Sequence, residues 1–314
     1  MKYYIFIIIL FSIISCESDL TIDDSNFKKE VVVNSILSSD SILTVDLSYS
    51  SFFNDTNVEA VEDAQVSVID LTSGRQYALI HSTDGHYKNP NKGVKSHEYS
   101  LLVTTYDNKE MTAQTCIPQD IILDVSIDTL YDDERYINEL SIGVEIANDP
   151  NRDNYYTFEL LPYRKIVTRQ DSFIGESTPL EFVSSDLPQF SEIPSDFKSK
   201  NFNLFSDIGY DGKNISTSFN FGREDMLFGD KRPNGVIDQS SEAETTSGDR
   251  YVQAYAIRIM AVSSDLFDYI KSYEIYNQQN NITSSNSQPG KIIFNIENGI
   301  GVFGGTNTQM IPIN

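Results

Sequence analysis

Alternation constrains this chain more than any other feature. In "ILTVDLSY" (42–49), Leu43, Val45, Leu47 and Tyr49 alternate with Ile42, Thr44, Asp46 and Ser48. A period of two puts successive side chains on opposite faces of a strand, so the first set is expected in a core. A helix would scatter both sets around its axis. "VVVNSIL" (31–37) precedes it across the turn-rich Ser38-Ser39-Asp40. "AQVSVIDLTSGRQYALI" follows the same logic, with Ala64, Val66 and Val68 or Ile69 lining one strand, Ser73-Gly74 turning, and Tyr77 to Ile80 returning. "HEYSLLVTTYDNKEMTAQTCIP" reads as a hairpin around Asp107-Asn108. Short strands at this spacing predict a small antiparallel sandwich over 30–118. Pro118 closes it, because proline cannot join a central ladder.

A second region begins near Ile121. "ILDVSIDTLY", "ELSIGVEIAND", "NYYTFELLPYRKIV" and "RYVQAYAIRIMAVS" read as strands, the last the strongest in the chain. Residues 168–218 are polar and aromatic, and predict long loops. At "SSDLFDYIKSYEIYNQQNN" the period changes. Leu266, Phe267, Ile270, Tyr273, Ile275 and Tyr276 form a helical stripe with Ser264 as N-cap, which predicts one helix near 264–279. "KIIFNIENGIGVFGG" predicts one more strand and a glycine-rich turn. The expected fold is therefore mostly β, a sandwich followed by a larger β-rich domain over 119–314 with one helix toward its C-terminus. Composition agrees: 18 Tyr and 18 Phe stand beside many Ile, Val and Thr, with no Trp.

The N-terminus supplies an address. Lys2 precedes a run from Ile5 to Ile14 in which only Ser12 is polar. That is the length of a signal-peptide apolar region and well short of the roughly 20 residues that span a bilayer. Ser15-Cys16 then looks like a bacterial lipobox, in which the cysteine is acylated and the chain is cut before it. Residues 1–15 are thus a leader and 16–29 an acidic tether. Two or three acyl chains hold a protein at a membrane effectively permanently. Cys116 would be the one remaining thiol, so no intramolecular disulfide is available. Its place in a strand before proline predicts a buried, inert side chain.

The formal net charge is −23 over 314 residues. Nucleic-acid binding needs a positive footprint and is disfavoured, as is adsorption to an anionic bilayer. No repeat of 20 to 50 residues suggests a solenoid.

Chemistry-bearing constellations are few. His81, His86 and His97 cluster with Asp84 and Glu98, but in spacings that fit no zinc motif, and the stretch reads as a solvated loop. Asp207, Asp211 and Gly212 fail the EF-hand pattern, and Asp211-Gly212 reads as a hairpin turn. Asp149, Asn151 and Asp153 have oxygens spaced to hold calcium, although turns use the same residues, and no metal is assigned. "GIGVFGG" lacks the lysine of a P-loop and any following helix, so its glycines are read as structural. No GxSxG elbow is present. No cofactor and no catalytic set are called for. Tyr131, Tyr136, Tyr155, Tyr156, Tyr163 and Tyr210 lie near strand ends or loops and form the candidate binding surface.

"FNIENGIGVFGG" (294–305), the preceding "SSDLFDYIKSYEIYNQQ" and "SDIGYDGKNISTSFNF" (206–221) together resemble DUF4249, a family of Bacteroidetes lipoproteins. "VEDAQVSVID" and Cys116-Ile117-Pro118 resemble its pattern too, and the stretch 168–200 departs from it. The resemblance implies that the first sandwich is immunoglobulin-like, with a larger β-rich domain after it, and that a TonB-dependent β-barrel transporter is a partner. It carries no active site. Glu17, Ser18 and Asp19 after the cysteine resemble the signal that exports such lipoproteins to the outer face of the outer membrane. The expected function is a non-enzymatic surface lipoprotein, an accessory or ligand-binding partner of a transporter. The alternatives are a surface hydrolase acting on glycans or peptides through paired carboxylates, and a structural or adhesive surface component.

Overall fold

The computed structural model describes residues 27–52, 57–132, 136–147, 149, 151–167, 172–174, 184–185, 203–210, 212–222, 250–281 and 290–313. Alternation sets the first strands. In β1 (Val31–Ser38) Val31, Val33 and Leu37 turn inward, and in β2 (Ile42–Tyr49) Leu43, Val45 and Leu47 do so. They meet side chains of β3 (Gln65–Asp70), β4 (Arg75–His81), β5 (His86–Lys92), β6 (Glu98–Thr104) and β7 (Glu110–Cys116) in one core that includes Val66, Val68, Tyr87, Tyr99, Leu101, Val103 and Met111. Strand β4 joins the two layers, pairing β3 through Arg75–Leu79 and β5 through Ile80 and His81.

The histidine stretch expected to be a loop contains β5, which sits between β2 and β4. Its polar sequence hides it, because Tyr87 alone is buried. The phenol is held at both lone pair and proton, accepting from Ala64 N and donating to Val61 O, each at 3.0 Å. Pairing steps from Leu43↔Asn89 to Ile42↔Lys92, so Pro90 and Asn91 bulge out where no ladder donor is required.

The second half adds β8 (Leu123–Asp132), β9 (Tyr136–Ile146), β10 (Tyr155–Val167), the short β11 (Ser172–Ile174) and β12 (Ser184–Ser185), β13 (Asn203–Ser206), β14 (Ile215–Gly222), β15 (Arg250–Val262), the helix α1 (Ser264–Asn281) and β16 (Ile300–Ile313). A small sheet, β12-β14-β9-β8, faces β13, β10 and β15 across a second core. Phe158 and Phe219 stack there with ring centroids 3.8 Å apart, and Ile142, Ile146, Phe205, Ile215, Ile257 and Ile259 close around them. Pro162 lies inside β10, between the stretches paired with β13 and β11, where among the described residues β15 alone is alongside. Helix α1 covers the opposite face of the large sheet, setting Leu266 and Phe267 on Val262, Val302 and Tyr155.

Three local expectations change. The helix N-cap is Ser263, whose carbonyl accepts from Phe267 N at 3.0 Å and whose hydroxyl lies 3.4 Å from Leu266 N, so the cap falls one residue before Ser264. Residues 207–214 join β13 of the large sheet to β14 of the small one and are therefore no hairpin; Asp211 lies outside the described residues. From Ile300 onward the glycine-rich "GIGVFGG" is strand, with only a bend at Gly299 before it, and the strand expected at 291–296 is irregular chain.

Strand β16 pairs parallel with β1 from Val32↔Ile300 to Ser38↔Thr306, and antiparallel with β15 from Val262↔Thr306 to Tyr255↔Ile313. One large sheet therefore runs β11-β10-β15-β16-β1-β2-β5-β4-β3-β6-β7. Glycine makes this insertion possible. Gly301 has φ +115°, and a Cβ there would lie 2.1 Å from Val33 O; a Cβ at Gly305 would lie 2.0 Å from Cys116 O. Phe303 then fills the first core at 0 % exposure. Gly305→Ala forces backbone apart at a site with no flexible neighbour. It should lower unfolding free energy by at least about 2 kcal/mol, seen as a lower urea midpoint; an unchanged midpoint contradicts the close approach.

Candidate functional site

The chain crosses from the first core to the second between Ile117 and Ile121. Ile117 is buried in the first core and Ile121 in the second, while Ile122 is 73 % exposed. The crossing is pinned on both sides. Ile117 N donates to His97 O (3.0 Å) and Ser96 N to Ile117 O (2.8 Å), while Ala147 N donates to Ile122 O (2.9 Å). Lys95 Nζ donates to Asp120 Oδ1 at 2.6 Å, and Asn307 Nδ2, from β16, donates to Gln119 O at 2.7 Å and to Asp120 Oδ1 at 3.2 Å.

Against this crossing lies the loop 149–154. Asp149 Oδ1 accepts from Asn151 N (3.0 Å) and Asn151 Nδ2 (3.1 Å), which is an Asx turn. Buried Asp207 grips the end of the loop, accepting Asn154 N at 2.7 Å on one oxygen and Asn154 Nδ2 at 2.6 Å on the other. Between crossing and loop is a cavity of about 220 Å³ walled by Pro118, Gln119, Asp120, Ile121, Ile122, Ala147, Asp149, Asn154, Tyr156 and Ala261. Both acids on the wall are charged at neutral pH. Hydrogen bonds from Lys95 and Asn307 hold Asp120 below the usual carboxylate range, and Asn151 N–H does the same for Asp149. Among the described residues no lysine, arginine or histidine lines this wall, although Lys95 is paired with Asp120. The cavity offers carboxylate and amide groups set against an apolar back, a lining that suits a small polar group. Beside it, Asn307 Oδ1 is buried without a partner among the described residues.

The structure disperses the six tyrosines. Tyr156 is on the cavity wall, stacked on Phe205 at 5.2 Å, and burial together with the Asp207 charge pushes its phenol pKa upward. Tyr155 points to the other face of β10 and packs 4.8 Å from Phe267, its pKa also raised by burial. Tyr210 packs at the margin of the second core. Tyr131 and Tyr136 belong to the far end of the β8–β9 pair, ten residues and about 30 Å along β9 from Ile146. Tyr163 pairs with Ala254, toward the far end of β10. Of those whose side chains are described, Tyr156 alone meets the cavity. Cys16, Glu17, Ser18 and Asp19 lie outside the described residues.

The other constellations separate likewise. His86 Nδ1 pairs with Asp46, His97 Nδ1 with Asp70 at 2.8 Å, and the His81 ring lies 5.2 Å from Tyr87. Among the described residues, no three His, Cys, Asp or Glu converge as a metal site, and Asp149 spends its oxygen on Asn151. Cys116 is exposed rather than buried: Met111, Ala113, Thr115 and Ile117 take the inward positions, so alternation turns its thiol outward. Its surroundings nonetheless desolvate the thiol and push its pKa up, so it should react with a maleimide slowly in folded protein without denaturant, read by intact-mass spectrometry; complete protection would return it to the interior.

Sequence reasoning missed Asp207, Lys95 with Asp120, and Asn307, because each contact joins residues far apart in sequence. It also missed Asp70, 1 % exposed, which accepts Thr72 N at 3.0 Å and Ser73 N at 2.9 Å besides His97. Burial alone would raise its pKa, yet the bonds from His97 and Ser73 outweigh that and hold it below the ordinary 3.8. A folded value below the unfolded one contributes stability above the ordinary value and loses it as pH falls through the folded one. Asp70→Asn should cost about 1–3 kcal/mol at pH 7 and flatten the loss of stability below pH 4, measured by urea melts across pH; parallel curves for both proteins would contradict this.

These observations define a mostly β chain of two packed sandwiches sharing one large sheet, with one helix among the described residues and a small cavity at their seam. The family described as "Domain of unknown function (DUF4249)" matches residues 17–311, and the chain belongs to that family. No curated protein matches it.

Proposed function

We propose that the chain is a non-enzymatic lipoprotein of a Bacteroidetes outer membrane, anchored by acylated Cys16 and facing the cell exterior, and that it serves a TonB-dependent β-barrel transporter as a ligand-holding accessory. In this reading residues 30–118 are an immunoglobulin-like unit beside the tether, and 119–314 form the larger domain whose loops meet the partner. The observation that carries it is the apolar run Ile5–Ile14 ending at Ser15-Cys16, with Glu17, Ser18 and Asp19 directly after.

The folded body supports the same reading. The first described strand begins at Val31, fifteen residues after Cys16, a length of chain that can span up to about 50 Å. Among the described residues no helix is long and apolar enough to cross a membrane. A net charge of −23 keeps the body off an anionic bilayer, leaving the lipid as its hold. The seam cavity offers one place among the described residues for a small ligand.

Wild-type protein should fractionate with outer membranes, be labelled on intact cells and carry acyl mass on Cys16. Cys16→Ala should leave the membrane fraction. Recovery of a β-barrel in a detergent pull-down of wild type supports the partnership. Unacylated Cys16, or membrane retention of the variant, overturns the anchor, and recovery of the protein alone overturns the partner.

A further inference from the structure

Strand β16 has two halves held by different neighbours. Its first half, Ile300 to Thr306, lies parallel to β1 through seven register pairs. Its second half, Thr306 to Ile313, lies antiparallel to β15 through eight. The two ladders overlap at Thr306 alone. On the side away from β1, the end of the first half meets the start of α1: Ser263 N donates to Gly305 O at 2.9 Å, and Gly305 N donates to Ser263 Oγ at 3.1 Å. This is a lap joint, in which β1 grips one end of a strand and β15 the other.

Direction gives the joint its mechanical character. Parallel β1 and β16 begin at the same end of the sheet, Val32 opposite Ile300, and run the same way to Ser38 opposite Thr306. A pull on the chain before Val31, resisted at the far end of β16 or through β15, slides β1 along β16. All rungs of the ladder are then loaded together, over about 20 Å of paired strand. A pull on the same point resisted at the near end of β16 opens the rungs one at a time. The inward residues Val31, Val33 and Leu37 add to the shear load, since sliding drags each from the first core.

Strand β16 is further fixed against sliding with β1. Asn295 holds Phe303 at both backbone groups, accepting from Phe303 N at 2.9 Å and donating to Phe303 O at 2.8 Å. Glu297 N donates to Thr112 O at 2.8 Å, tying the approach to β16 to β7.

We propose that the β1–β16 ladder is a shear clamp that carries load between the N-terminal tether and the second half of the chain. Its role on a cell rests on the anchoring at Cys16 proposed above; its existence does not, because the clamp is a property of the folded chain. A body tethered through β1 and gripped by a partner elsewhere would transmit any pull through this joint.

The test is single-molecule pulling of purified protein, residues 17–314, in two geometries. One attaches handles at the two termini. The other moves the C-terminal handle to an exposed position at the near end of β16, with Asn298→Cys in a Cys116→Ala background, and thermal melts confirm that both proteins fold. The clamp predicts a first rupture force at least twofold higher in the terminal geometry. A second protein with Ser38→Cys and Thr306→Cys places thiols at the last register pair. Oxidising them should abolish the first rupture between the termini, and reduction should restore it. Equal forces in the two geometries, or a first rupture unaffected by the cross-link, overturn the proposal. Neither result depends on lipidation, so failure of the clamp and failure of the anchor are told apart.

Discussion

The structure depends on one insertion, the last strand entering between the first and β15. Without β16 the first sandwich would expose the edge of β1 and lose Phe303 from its core. The second half would lose the antiparallel neighbour of β15. Two glycines decide whether this can happen. At Gly301 and Gly305 the backbone of β16 approaches Val33 and Cys116 more closely than any side chain permits. Strands β1 and β16 therefore stabilise each other, and neither sandwich is finished until β16 is in place. The long-range pairing this requires carries a large loop-closure entropy, which places the chain among slow folders.

With no disulfide among the described residues, buried polar groups take the role of staples at the joints. The Ser263 hydroxyl lies where three elements meet, within 3.0 Å of the Thr115 hydroxyl of β7, 3.1 Å of Gly305 N of β16, and over the first turn of α1. Asp207 fixes the loop before β10, and Asp70 the turn after β3. Glu159, 2 % exposed, pairs with Arg258 directly across the β10–β15 ladder. Each group satisfies donors that burial would otherwise strand at a cost of about 1–3 kcal/mol apiece. Their value is positional: removing one leaves its partners unpaired in a place that cannot rearrange without opening a sheet.

Legibility followed the range of the interaction. Strands β1, β2, β3, β6 and β7 could be read from alternation because one face is buried and the other wet, and Gly74 and Asn108, both at positive φ, mark the turns that were expected. The helix announced itself by a change of period. Strand β5 did not, since Asn89, Pro90 and Asn91 carry turn chemistry in a position where the neighbours β2 and β4 impose extension. The glycine-rich segment was legible as close backbone approach and illegible as strand, because nothing local says that Val33 and Cys116 will lie against it. The cavity was hidden for the same reason. Of its wall, Tyr156 and Asp149 had been singled out, but for a tyrosine surface and a calcium loop; what brings them together is the meeting of β10 with the crossing 117–122, which leaves no pattern in the residues.

The seam cavity follows from that topology. Ile117 and Ile121 are committed to different cores four residues apart, so the chain between them spans the gap without filling it. Gln119 and Asp120 are held by Asn307 from β16, while Asp149, Asn154 and Tyr156 belong to the second sandwich. Anything bound there touches the crossing and the second half together, and the crossing is itself pinned to the first half through Lys95, Ser96 and His97. Such a ligand stabilises the folded chain by mass action, about 2.7 kcal/mol at a hundred times its dissociation constant. Because the sandwiches share β16, that stabilisation belongs to the cooperative whole. Asn307 of β16 holds Gln119 and Asp120 of the cavity wall, so the cavity and the proposed load path along β1 and β16 are linked through that one strand.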